Sequence, residues 1–157
     1  GLPEEIAVAA GLAYVASRSG VQIIDVRDPA SPKEVGVVEL PGEPVAITLD
    51  GNHAYVAVWG ASAVTGSLAV LDIADPGAAH VVGNFALPSA PFDVTVSEEL
   101  VYVGDGDGGL FILSSDVVPE PTQTPSPSAL PTAAPSPTAT PAPGRAVFLP
   151  VLDVPAR

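Results

Sequence analysis

Gly20-Val21-Gln22-Ile23-Ile24-Asp25-Val26-Arg27-Asp28-Pro29 decides the architecture, because the chain writes this stretch more than once. Leu68-Ala69-Val70-Leu71-Asp72-Ile73 followed by Asp75-Pro76 repeats it, and Leu110-Phe111-Ile112-Leu113 repeats its apolar centre. Ahead of each copy stands a second motif: Ala13-Tyr14-Val15-Ala16, Ala54-Tyr55-Val56-Ala57 and Val101-Tyr102-Val103-Gly104. Behind the first two copies, Val35-Gly36 returns as Val82-Gly83 and Leu40-Pro41 as Leu87-Pro88. Tyr14 to Tyr55 is 41 residues and Tyr55 to Tyr102 is 47; the extra six fall between Trp59 and Gly66.

A period in the low forties that carries four short strands per unit is the signature of propeller blades. In the second unit the apolar runs place strands near 45–49, 54–59, 68–73 and 80–86. They alternate only weakly, as strands covered on both faces should, and Gly, Asp, Asn and Pro separate them. The expected fold is therefore all-β: a β-propeller of four-stranded antiparallel blades, about three of them, over residues 1–118.

The series from Gly20 to Gly36, with its Asp-x-x-Asp-Pro step and following Val-Gly, resembles the LVIVD repeat of bacterial and archaeal surface proteins. The resemblance runs over roughly residues 2–113. It departs after Leu113, where Ser114 replaces the aspartate and Val117-Val118 replace Asp-Pro. It implies a propeller exposed outside the cell, usually without known catalysis. Similar propellers order each blade from an inner strand A to an outer strand D. On that order the third unit supplies A, B and C but no D, and Leu2-Pro3 matches residues just after a D strand. The expectation is a chain that carries the C-terminal end of a ring. Because three blades cannot bury their terminal faces, either upstream blades are missing or copies associate to complete the ring.

Composition sets the limits on function. The net charge is −13; residues up to Val118 hold 16 acids and 3 bases, and the remainder holds 2 of each. So acidic a surface repels nucleic acid and anionic membrane and suits a soluble secreted protein, or one with weak affinity for divalent cations. With no cysteine there is no disulfide, thiolate metal site or thiol nucleophile. No apolar run approaches the ~20 residues of a membrane span. The start at Gly1 is read as an exported protein whose signal peptide has been removed, or as a fragment.

From Pro119 to Gly144 the chain is almost entirely Pro, Thr, Ser and Ala, with nine prolines. Such a segment is expected to stay disordered and extended, as a linker or an O-glycosylated stalk. Residues 145–157 then turn apolar: Ala146-Val147-Phe148-Leu149-Pro150-Val151-Leu152 reads as a strand added to a sheet edge, an export or anchoring signal, or the start of another domain.

Two groups of residues are candidates for a site. Asp105 and Asp107, in Gly104-Asp105-Gly106-Asp107-Gly108-Gly109, have the opening pattern of a calcium loop, but the later ligands are absent and a tight B–C hairpin is the favoured reading. Trp59, the only tryptophan, opens the inserted loop, on a face shared with Arg18, Glu43 and the Asp105–Asp107 turn. An aromatic among charges on a loop face is a recognition pattern; the alternative is that Trp59 covers the blade edge. Asp25, Asp28, Asp72 and Asp75 recur at strand ends and are assigned to turns. His53 and His80 have no serine motif nearby, so no catalytic residues are assigned. The expected function is a non-catalytic binding or scaffolding module at the cell surface, with a protein or glycan partner. The alternatives are a fragment of a propeller hydrolase or lyase and a self-assembling subunit.

Overall fold

The computed structural model describes residues 2–60 and 64–114; the Pro-rich segment, the apolar tail and the end of the expected propeller unit lie outside them. Three antiparallel sheets follow one another along the chain, each a meander. The first blade is β1 (Pro3–Ala9), β2 (Leu12–Ser17), β3 (Gly20–Asp25) and β4 (Lys33–Val38). The second is β5 (Glu43–Asp50), β6 (His53–Trp59), β7 (Gly66–Asp72) and β8 (His80–Leu87). The third is β9 (Asp93–Ser97), β10 (Leu100–Asp105) and β11 (Gly109–Ser114), with a 3-10 turn at Gly106–Gly108. No α-helix occurs among the described residues, so none there is long and apolar enough to cross a membrane; this says nothing of a β-barrel.

The repeat extends to irregularities. Ladder shifts fall between Pro3 and Glu5 in β1 and between Pro44 and Ala46 in β5. Others fall between Ile23 and Ile24 in β3 and between Val70 and Leu71 in β7. Bulges at matching offsets give both blades the same local twist, which lets one stack on the next. The aspartates at the strand ends act as turn formers: Asp25, Asp28, Asp72 and Asp75 each accept a bond through Oδ1 from the backbone N–H two residues on, at 2.8–3.1 Å. Arg27 also donates to both oxygens of Asp25, and this bond, above all, holds the carboxyl at about 2.

Blade 2 is the filling of a sandwich. Ile47, Val56, Ala69 and Leu71 on one face pack with Tyr14, Ala16, Val21 and Ile23 of blade 1. Ala46, Tyr55, Leu68 and Val70 on the other face pack with Val94, Val101 and Val103 of blade 3. Side chains alternate across each strand, so these two layers use every position from Ala54 to Val58 of β6 and from Leu68 to Leu71 of β7, and both segments read as unbroken apolar runs. The first strand of each blade lies beside the first strand of the next. Here the Glu5 carboxylate accepts a 2.5 Å bond from the Ile47 N–H, which ties the first strands of the two blades together.

Candidate functional site

In blades 1 and 2 the B–C turn region reaches forward to the loop that enters the following blade. At the first junction, Arg18 Nε donates to Glu43 Oε1 at 2.8 Å. Both candidate charges are thereby spent on each other, across an exposed blade boundary. At the second junction, the indole Nε1–H of Trp59 donates to the Pro91 carbonyl at 2.5 Å. Trp59 is half-buried, and its indole braces the loop. It meets Phe92 edge-on, with ring centroids 5.8 Å apart and planes at 87°, a favoured aromatic geometry. Phe92 itself is 62% exposed.

Phe92 forms one wall of a cleft of about 490 Å³, which Ser89 and Ala90 of the β8–β9 loop line on one side and Asp107 and Gly108 on the other, with Val64 at the rim. The two walls can approach only because the turn is glycine. Gly106 sits at φ +42, where a Cβ would lie 3.0 Å from the Ala90 carbonyl oxygen. A Cβ at Gly108 would lie 2.2 Å from Asp105 Oδ2.

Asp105 ends β10 beneath this turn and is fully buried. Its Oδ2 accepts the Ser89 N–H at 3.1 Å, and its buried Oδ1 has no partner. Burial pushes its carboxyl above the usual range, and the Ser89 bond opposes that only in part. The corresponding residue of blade 1 is Ser17, also buried, whose hydroxyl donates to the Gly20 carbonyl at 3.2 Å. In blades 1 and 3 the position holds a buried polar group bonded to nearby backbone, and in blade 2 it is Val58. Asp107 is exposed on the turn. As for calcium, no three acidic or imidazole side chains among the described residues converge to hold a metal.

The sequence-derived candidates therefore share one rim, as expected, but divide by role: Arg18 with Glu43, Trp59 as a brace, Asp105 as a buried tie, and Asp107 facing the cleft. Phe92 was missed. Its signal was positional: it stands where Val45 stands in the preceding blade, a large aromatic in place of a half-buried aliphatic residue.

The LVIVD repeat model matches residues 1–39, 41–86 and 91–117, and its breaks fall at the loops between blades. The chain belongs to the LVIVD repeat family. No curated protein matches it. Two similar solved structures are of designed proteins. The crystal structure of the computationally designed Ika8 protein superposes with a TM-score of 0.54 at 13% identity, over 73% of this chain and 34% of that one. The computationally designed Ika4 protein gives 0.53 at 15% identity, over 69% and 63%. At such identities the likeness is one of fold, and the LVIVD chain spans less than two thirds of either. The repeats and the three stacked sheets make this a repeat β-propeller module.

Proposed function

We propose that this LVIVD module is a non-catalytic binding or scaffolding unit, displayed outside the cell, that holds a surface protein or glycan in the cleft between Phe92 and Asp107. The observation that carries the reading is the exposed Phe92 ring, fixed edge-on by a tryptophan that is itself bonded to backbone. A rigid aromatic beside an acidic group provides a stacking face and a hydrogen-bond acceptor without ordering cost on binding. The two imidazoles stand at the opposite end of the blade, where His53 opens β6 and His80 opens β8, away from this cleft. The acidic surface and the Pro/Thr/Ser/Ala segment support an extracellular setting.

The test is a glycan array and a panel of surface-protein peptides probed with the wild-type chain and with Phe92→Ala. Phe92 is exposed, so the variant should fold as wild type. A ligand retained by wild type and lost at least tenfold by Phe92→Ala supports the reading. Equal binding by both chains would place recognition elsewhere, and turnover of a chromogenic ester, glycoside or phosphate that co-purifies with the folded chain would make it an enzyme.

A further inference from the structure

The first junction contains a guanidinium that the second lacks. Arg18 of the first B–C turn sets its guanidinium on Glu43 of the next blade. In the repeat, Trp59 and Ala90 stand in the places of Arg18 and Glu43, so the second junction has neither that base nor that acid. Its acid is Asp107, exposed on the wall of the cleft. Among the described residues it pairs with no base. Blades 2 and 3 have none to offer: from Glu43 to Ser114 the chain holds nine acidic residues and no lysine or arginine. Arg18, Arg27 and Lys33 all belong to blade 1, where the two arginines are already bonded to Glu43 and Asp25. Donors are short here as well as positive charge. Asp105 Oδ1, under the same turn, is the one buried side-chain polar atom without a partner among the described residues. Only the bare backbone of Gly108 separates that carboxyl from the cleft, which Gly108 lines.

The aromatic wall narrows the class of cation that would fit. Phe92 is the only aromatic residue lining the cleft, whereas quaternary ammonium groups are held in cages of several rings. A planar guanidinium needs one ring to stack on and keeps its N–H groups directed in plane at a carboxylate. A lysine ammonium is a compact, strongly hydrated charge that gains less from such a wall. Resting on the cleft as the binding site, we propose that its ligand is an arginine side chain of a partner protein, stacked on Phe92 and donating to Asp107. The partner's arginine then does at the second junction what Arg18 does at the first. The charge of −13 draws a basic partner in, and added salt should weaken the complex.

The probe is arginine blocked at both ends, as N-acetyl-arginine amide, titrated into the full 157-residue chain. Emission of Trp59, the only tryptophan, reports occupancy because its ring meets Phe92 edge-on. Blocked lysine and blocked citrulline, which has the shape of arginine without its charge, are titrated alongside. The expected result is a saturable change with arginine, weaker at physiological than at low salt, about threefold or more weaker with lysine, and absent with citrulline. Asp107→Asn and Phe92→Leu should each weaken arginine binding about threefold or more. Asp50→Asn, an exposed acid at the far end of β5, should leave it unchanged. Circular dichroism establishes that each variant keeps its strands. No saturable change with arginine overturns the proposal. So does binding that lysine or citrulline matches, or that Asp50→Asn weakens as much as Asp107→Asn. The two readings of the cleft fail separately. A neutral glycan or acidic peptide held through Phe92 and indifferent to Asp107→Asn keeps the cleft as the site and removes arginine from it. Arginine binding that survives both Phe92→Ala and Asp107→Asn overturns both.

Discussion

The two blade junctions use the same scaffold and fill it with opposite chemistry. At the first, a B–C turn meets the next blade's entry loop through one exposed ion pair, Arg18 with Glu43. At the second, the corresponding turn carries an insertion. The contact becomes an indole bonded to a carbonyl and set edge-on against a phenylalanine, beside a buried carboxylate. The second junction opens a cleft. Strands that must stack are held to one pattern, and the loops at their ends are free to differ, so the difference between the junctions is where a specific role resides.

Trp59→Ala breaks the second junction and should have the largest effect. It removes a half-buried ring, its bond to Pro91 and the edge-on contact with Phe92. The expected loss is about 2–3 kcal/mol of unfolding free energy in urea, somewhat below that for a fully buried aromatic. Binding in the cleft should fall with it. A loss under about 0.5 kcal/mol would mean the indole covers the edge without bracing the loop. Gly66→Ala should follow, since a Cβ there would sit 2.2 Å from Pro91 Cδ and 2.7 Å from the Val58 carbonyl oxygen. Overpacking of that kind costs about 1–3 kcal/mol. The same change at Gly104, where a Cβ meets nothing within 4 Å, is the control.

What was legible in the sequence follows the same division. The repeated tyrosine motif and the Asp-Pro steps located the strands to within a few residues. The recurrence of Asp25, Asp28, Asp72 and Asp75 identified turn formers, which their Oδ1 bonds show them to be. These features are shared by blades, and repetition makes them visible. The site was only partly legible, because its residues occur once each. That Arg18 and Glu43 spend their charges on each other depends on a distance across a blade boundary, which no local spacing encodes. Trp59 stands out as a lone aromatic, but the bond that braces its indole is made to a proline carbonyl 32 residues away. Phe92 escaped because it stands just ahead of a strand, where an apolar residue is unremarkable until it is set against Val45.

Asp105 sharpens the comparison through pH. Its folded carboxyl is raised by burial, so the folded chain holds that proton more tightly than the unfolded one. Stability from this group is then fully present at acid pH and falls as pH rises from the unfolded value near 4 through the folded one. Asp105→Asn keeps an acceptor for the Ser89 N–H and removes the buried charge. The variant is expected to be more stable than wild type by about 1 kcal/mol at neutral pH, with the gap closing as pH falls toward 4. Urea midpoints across that range check this. A gap that widens on acidification would show that the carboxylate is stabilised where it sits.

The smallest effect is expected at the first junction, and its smallness is the point. Arg18 is 63% exposed and Glu43 33%, so solvent screens their attraction and holding the long side chains costs entropy. Arg18→Ala should cost no more than about 0.5 kcal/mol, and a double-mutant cycle with Glu43→Gln should give a coupling of the same small size that fades with added salt. Blade 1 stays on blade 2 because Tyr14, Val21 and Ile23 are buried against Val56 and Leu71, and the rim pair only chooses which charges face each other. A coupling above about 1.5 kcal/mol would reverse the comparison: the ion pair would then be the structural junction, and the aromatic one free to serve recognition alone.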